Sequence, residues 1–193
     1  MISRILLTTL ITCSFAAGLA ASPEEAQQRL KSAVNEVLGV ADRVSNRATM
    51  AESLRPTLQK HISFETMTRR AVGLGWKTFT PAQQKQATQL FTTLIIRSYG
   101  SKFTPGEHPV INYQKAQTPA AGRVDVPTSM VYKGSHYSVT YRMEQDTGWR
   151  IADVVIEGVS LIANYRSQLD AQYKKGGAEA VLSSLTQSVS RPQ

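Results

Sequence analysis

Arg123-Val124-Asp125-Val126-Pro127-Thr128-Ser129-Met130-Val131-Tyr132 and Tyr137-Ser138-Val139-Thr140-Tyr141-Arg142-Met143-Glu144 decide the fold. In the first stretch Val124, Val126, Thr128, Met130 and Tyr132 alternate with Asp125, Pro127, Ser129, Val131 and Lys133. In the second, Tyr137, Val139, Tyr141 and Met143 alternate with Ser138, Thr140, Arg142 and Glu144. Successive side chains on a strand point to opposite faces, so a period of two gives two strands with one apolar face each. Gly134 between them marks a hairpin, and Asp146-Thr147-Gly148 marks another before a strand from Trp149 to Ile156. With Val110 to Lys115 in front, the expectation is four successive antiparallel strands within 109–157. Pro127 cannot donate to a ladder, which places it at an edge or a bulge, and Glu157-Gly158 ends the sheet.

On either side of the sheet the period changes to that of helices. Ser22-Pro23-Glu24-Glu25 offers a Ser N-cap, Pro at the first position and Glu at the third, and Leu30, Val34, Val37, Leu38, Ala41 and Val44 follow at helical spacing. A second helix carries Met50, Leu54, Leu58 and Ile62, with Pro56 shortening or kinking it. Ser63 caps a third that ends near Gly73 and Gly75. Thr80-Pro81-Ala82-Gln83 repeats the start signal ahead of a wide stripe of Ala87, Leu90, Phe91, Leu94, Ile95 and Tyr99. Beyond the sheet, Ser160 caps a helix carrying Ile162, Tyr165, Leu169 and Tyr173. Gly176-Gly177 breaks it before a last helix with Val181, Leu182, Leu185 and Val189. The predicted class is α+β: a four-stranded, antiparallel, strongly curved sheet, with helices before and after it enclosing an apolar cavity. Periodicity leaves open whether side chains or a ligand fill that space. The expected organisation is a signal peptide over 1–20 and one domain over 21–193, helical over 22–104, sheet over 109–157 and helical again over 160–190.

The signal is read from Arg4, an uncharged apolar run from Ile5 to Ala17, and Gly18-Leu19-Ala20 with small residues at −3 and −1 of a cleavage site. A run of about 13 residues is shorter than the ~20 a membrane-spanning helix needs. Cys13 invites a lipoprotein reading, but Thr12 stands where a small residue is required. Cys13 is the chain's one cysteine, so an exported domain of this sequence is held by its core without disulfides. The formal charge is +8, and without Arg4 21 basic residues stand against 14 acidic ones. Export argues against nucleic acid as partner, and the absence of a Lys/Arg block spreads the charge over helix faces. That leaves a solvated surface or weak attraction to anionic head groups.

Catalytic constellations are sparse. His61, His108 and His136 lie far apart, without metal-ligand spacing. Gly158-Val159-Ser160 resembles the front of a nucleophile elbow, but Ile162 occupies the place of its closing glycine. Asp153 and Glu157 stand an even number of positions apart, which puts both on one strand face as an acid/base pair or as ion-pair partners of Arg150 or Arg166.

From Trp149 onward the sequence Trp149-Arg150-Ile151-Ala152-Asp153-Val154-Val155-Ile156-Glu157-Gly158-Val159-Ser160-Leu161-Ile162-Ala163-Asn164-Tyr165-Arg166-Ser167-Gln168-Leu169 resembles the signature of the MlaC family. These are periplasmic phospholipid-binding proteins, also called toluene-tolerance proteins. Upstream, His61-Ile62-Ser63-Phe64, Leu74-Gly75-Trp76, Thr80-Pro81-Ala82-Gln83-Gln84, Phe91 and Tyr99 are similar to the family as well. Ala152 stands where an aromatic is common and Ser63 where an aspartate is common.

The resemblance implies a soluble periplasmic carrier that moves phospholipid between an outer-membrane lipoprotein complex and an inner-membrane ABC transporter complex, and so maintains outer-membrane lipid asymmetry. It implies a monomer with no cofactor other than the lipid cargo, no metal and no catalytic activity. A sister branch linked to hopanoid lipids shares the fold, which makes a hopanoid-type lipid an alternative ligand. Withdrawing an acyl chain of ~14 methylenes into water costs about 11 kcal/mol at ~0.8 kcal/mol per methylene, so a carrier needs a deep apolar cavity. The candidate lipid-binding residues are Val126, Met130, Val139, Tyr141, Met143 and Val155 on the sheet, with Leu94 and Ile162 on helices. Two other functions stay open here: a cone-shaped α+β roll enzyme using Asp153 and Glu157, and a lipid-free envelope adaptor.

Overall fold

The computed structural model describes residues 22–100, 102 and 104–191; the signal segment, with Cys13, lies outside these residues. Five helices and six strands follow in order: α1 (Pro23–Ala41), α2 (Met50–His61), α3 (Phe64–Val72), α4 (Pro81–Gly100), β1 (Val110–Tyr113), β2 (Gln117–Ala120), β3 (Arg123–Tyr132), β4 (Ser135–Gln145), β5 (Trp149–Ile156), β6 (Val159–Ser160) and α5 (Leu161–Ser190). Short 3-10 segments, Arg47–Thr49 and Gly73–Thr78, precede α2 and follow α3.

The helix starts obey the signals in the sequence. The Ser22 hydroxyl accepts the Glu25 N–H at 3.1 Å. Thr80 and Gln83 form a reciprocal capping box: the Thr80 hydroxyl accepts the Gln83 N–H, and the Gln83 side chain accepts the Thr80 N–H. Ser63 departs from expectation, because its side chain makes no capping bond. Its backbone N–H instead donates to the Ile151 carbonyl at 2.8 Å, and Ile62 bridges Ile151 in parallel, so the α2–α3 junction adds itself to β5. Helix α2 runs on through Pro56 to His61. Helix α5 is broken at Gly176-Gly177 as expected; Gly177, at φ 61° and ψ −146°, occupies a region open essentially to glycine alone.

The sheet is antiparallel and unclosed, in the order β1-β3-β4-β5-β6, with β2 also on β3. Six strands replace the four expected. The two missed are short: β2 pairs loosely, through Gln117↔Asp125 and Ala120↔Arg123, and β6 has two residues. Glu157-Gly158 therefore does not end the sheet. With φ of 50° and 77° the pair makes a tight turn, and Val159 returns opposite Ile156. Lys133-Gly134, at 51° and 76°, turns β3 into β4 in the same way. Pro127 lies in the interior of β3, between β4 and the β1/β2 edge. Its carbonyl accepts the Gln114 N–H at 2.9 Å. Because the N–H and C=O of a strand residue point to one side, its missing donor faces the break between β1 and β2, where no ladder bond is lost.

Between β4 and β5 the register slips: Arg142 opposes Asp153 and Met143 opposes Ile151, leaving Ala152 as an extra, bulged residue. The bulge reverses which residues of β5 face the helices. Cross-strand partners share a face, so Ile151 joins Met143 and Val124, while Val154 joins Tyr141 and Val126.

One core forms among the helices, around Phe91, Met67, Val72, Ile96, Val181 and Leu185. A second lies between α1 and the sheet, where Ala26 and Leu30 pack on Val124, Val126, Met143, Trp149 and Ile151. Gly75 brings the 3-10 segment against α5: a Cβ there would stand 2.7 to 2.9 Å from the Tyr173 ring. Phe79 stacks between Trp76 and Tyr173 at centroid distances of 5.8 and 6.5 Å. Gly75→Ala should therefore cost about 1–3 kcal/mol by overpacking. Urea unfolding of Gly75→Ala beside Gly75→Ala/Tyr173→Leu checks this, with the smaller side chain restoring part of the loss.

Candidate functional site

Helices α2, α3 and α4 face the half of the sheet's inner side that α1 leaves uncovered, and a cavity of about 260 Å³ opens there. From the sheet, Met130, Tyr132, Val139, Tyr141, Val154 and Ile156 form its wall; from the helices, Leu58, Phe64, Met67, Ile95 and Tyr99 face them. Ile62, Ile151 and Leu161 contribute from the α2–α3 junction, β5 and the start of α5. Among the described residues Lys102 is the one charged member of the lining. The Tyr132 hydroxyl donates to the Lys102 carbonyl at 3.2 Å, which ties the end of the β3–β4 hairpin to the chain beyond α4. The wall offers dispersion and no specific polar anchor, which suits hydrocarbon. Ile95 and Tyr99, four residues apart on α4, present one continuous stripe to it.

Of the eight expected lining residues, the structure places Met130, Val139 and Tyr141 on the cavity. The other five do not line it. Val126 and Met143 share the correct sheet face but are buried under α1, against Ala26 and Leu30. Leu94 and Ile162 are buried in the helical core. Val155 pairs with Thr140, which opposes Pro127, and so lies on the other face of the sheet. Counting by twos from Trp149 selects Val155; the bulge at Ala152 shifts the count, and Val154 and Ile156 take its place. Sequence reasoning missed these two together with Leu58, Ile62 and Phe64, although Leu58 and Ile62 belong to an apolar helical stripe that was visible.

Burial pushes the Tyr141 phenol up to about 12, with Tyr113 adding a smaller repulsion. An unfolded tyrosine ionises near 10, so between about pH 10 and 12 the unfolded chain releases this proton first and stability falls as pH rises. The shift corresponds to about 2–3 kcal/mol. Urea unfolding at pH 9 and pH 11 should show a loss that Tyr141→Phe reduces.

Asp153 is committed to the start of α5. Its carboxylate is buried and takes the Val154 N–H at 2.9 Å, the Ile162 N–H at 3.1 Å, the Ser160 hydroxyl at 2.6 Å and Arg142 Nη1 at 3.2 Å. The Ser160 hydroxyl in turn accepts the Ala163 N–H at 3.0 Å. Together the two side chains cap the first turn of α5 and seat a negative charge at its positive end. Arg142, not Arg150 or Arg166, is the cation on Asp153. Glu157 sits at the β5–β6 turn, exposed, where its side chain accepts the Ser138 N–H. The Arg150 guanidinium donates to the Gln59 and Ile62 carbonyls at the end of α2. Two of the histidines meet carboxylates and the third faces solvent: buried His61 meets Glu36 at 2.7 Å, His108 meets Asp42 at 2.6 Å, and His136 is exposed. Among the described residues there is no group of His, Cys, Asp or Glu able to hold a metal ion, and no helix is long and apolar enough to cross a membrane.

Fold and cavity define a class: an α+β protein whose half-covered sheet forms one wall of an apolar pocket. The family described as MlaC protein matches residues 24–187, and the chain belongs to that family. Among solved structures it is similar to the phospholipid-binding protein from Ralstonia solanacearum, determined in complex with a phospholipid. The TM-score is 0.78 at 25% identity, covering 86% of this chain and 97% of that one. No curated protein matches the sequence.

Proposed function

We propose that this protein is a periplasmic phospholipid carrier: it holds acyl chains in the cavity between α2–α4 and the sheet and transfers lipid between membranes. The observation that carries the reading is the cavity's lining, in which Lys102 is the only charged residue among those described. Membership of the MlaC family and likeness to a protein solved with phospholipid bound support it, and point to lipid binding rather than catalysis. At about 260 Å³ the cavity lies just below the ~300–1,000 Å³ of pockets that enclose a whole drug-sized ligand. As it stands it therefore suits part of an acyl tail and leaves the head group at the mouth, in water. The carrier works as a monomer, receiving lipid from an outer-membrane lipoprotein complex and delivering it to an inner-membrane ABC transporter complex, or the reverse, and so preserves outer-membrane lipid asymmetry. An apolar pocket of this kind lowers the ~0.8 kcal/mol per methylene that desorption from a bilayer costs.

Transfer of a fluorescent phospholipid from quenched donor vesicles to acceptor vesicles tests the reading. The mature protein should accelerate transfer in proportion to its concentration. Transfer no faster than the spontaneous rate, at protein levels equal to the labelled lipid, would refute carriage.

A further inference from the structure

A second pocket, of about 530 Å³, is ringed by four guanidinium groups from four different elements: Arg70 of α3, Arg123 of β3, Arg142 of β4 and Arg166 of α5. Three carboxylates, Asp125, Glu144 and Asp153, line it with them. The two sets do not cancel. Glu144 alone takes Arg70, at 2.6 and 2.7 Å, and Arg123 Nε, at 3.0 Å. Asp153 is occupied by Ser160 and two backbone N–H groups, and gives Arg142 a single contact at 3.2 Å. Asp125 stands 3.9 Å from Arg142 Nε, too far for a hydrogen bond. Arg166 makes no hydrogen bond or ion pair among the described residues and is exposed. It lies on the backbone of Gly73, where a Cβ would meet its Nε at 3.1 Å.

A guanidinium has five N–H donors in a planar fork and keeps its charge at any ordinary pH. Arg166 therefore brings a full set of donors to the pocket, and Arg142 brings its Nε and Nη2. An ion that satisfies forks from two separate elements needs acceptor oxygens that point in more than one direction. Tetrahedral phosphate offers them, as the free ion or as a phospholipid diester, whereas the two oxygens of a carboxylate lie in one plane. The pocket's remaining wall, from Pro119, Ala120, Met143, Ser160, Ile162 and Ala163, is uncharged, and the volume leaves room for a group of that size.

We propose that this pocket binds a phosphate group, held between Arg166 and Arg142, at a site separate from the apolar cavity. The phosphate comes either from the head group of an anionic phospholipid in a membrane surface or from solution. Arg166→Gln is the informative variant, because Arg166 has no partner to lose among the described residues, and Arg166→Lys keeps the charge without the fork. Arg29→Gln, on the exposed side of α1, is the control.

Inorganic phosphate is titrated into the mature protein, with chloride at matched ionic strength as reference, and the arginine Nε–H resonances are followed by NMR. Saturable shifts at Arg166 and Arg142 are expected, weakened ~10-fold or more in Arg166→Gln, less in Arg166→Lys and unaltered in Arg29→Gln. A second arm measures sedimentation with vesicles of phosphatidylglycerol against vesicles of phosphatidylcholine. Binding to the former that falls several-fold in Arg166→Gln identifies the head group as source. Phosphate binding with no Arg166-dependent vesicle binding identifies the free ion. If neither phosphate nor vesicles bind in a way that depends on Arg166, while circular dichroism shows the variant folded, the proposal is overturned.

Discussion

Val154→Trp should leave the protein folded and nearly empty of lipid. Val154 is partly exposed and faces the cavity from the middle of the sheet, opposite Tyr141, so a larger ring extends into space that a ligand would occupy. Denying the pocket to about four methylenes removes ~3 kcal/mol of burial, a factor of more than ~100 in affinity. Lipid recovered per protein, by extraction and mass spectrometry, should fall by about an order of magnitude or more, with little change in the urea midpoint. Two comparisons make the test specific. Val155→Trp, one residue along but on the other face, should retain its lipid. Met143→Trp is packed against the α1 core rather than the cavity, and should instead destabilise the fold by about 1–3 kcal/mol. If Val155→Trp empties the protein and Val154→Trp does not, the bulge at Ala152 and the cavity assignment are both wrong.

Asp153→Ala should destabilise the fold more than either Gly75→Ala or Met143→Trp. It removes a carboxylate that is 4% exposed and leaves the Ile162 and Val154 N–H groups, the Ser160 hydroxyl and one contact of Arg142 without their acceptor. Each buried donor left unsatisfied costs about 1–3 kcal/mol, and water at the pocket rim recovers part of this, so a loss of about 3–5 kcal/mol follows. For a domain of this length that lowers Tm by roughly 6–20 °C. Asp153→Asn keeps one acceptor oxygen and should lose about half as much. A thermal melt of the two variants decides the matter: a shift of under about 2 °C for Asp153→Ala would contradict the capping role given to Asp153.

Much of the architecture was visible in the chain. The Ser22, Thr80 and Ser160 starts, the Gly176-Gly177 break and the Gly134 turn are local chemistry, and each was found where the sequence places it. Strands β2 and β6 were not, because two to four residues are too few to display a period, and β2 has no buried residue at all. Ser63 deceived for a related reason. Its type fits an N-cap, but the strand edge of β5 claimed its backbone, a long-range contact with no local signature.

The cavity was legible as a location and only partly as a residue set. Met130, Val139 and Tyr141 follow from alternation alone. Val126 and Met143 have the same alternation and lie beneath α1, and nothing in a sequence tells which half of an apolar face a helix will cover. Val155 was lost to a single bulged residue, which exchanges the two faces of everything beyond it. Asp153 and Glu157 were paired by the same count. The bulge and the turn at Glu157 instead send one to the start of α5 and the other to the edge of β4.

The central claim, that the space between α2–α4 and the sheet carries lipid, is tested most directly by what the protein holds when purified. The mature chain is isolated from a bacterial host without detergent, extracted with organic solvent, and its lipids identified and quantified against protein by mass spectrometry. Phospholipid at near one molecule per chain is the expected result, with a hopanoid in its place indicating a different cargo for the same cavity. Protein that comes through lipid-free, and takes up none on incubation with phospholipid vesicles, would contradict carriage and favour an adaptor whose cavity is only an imperfection of packing.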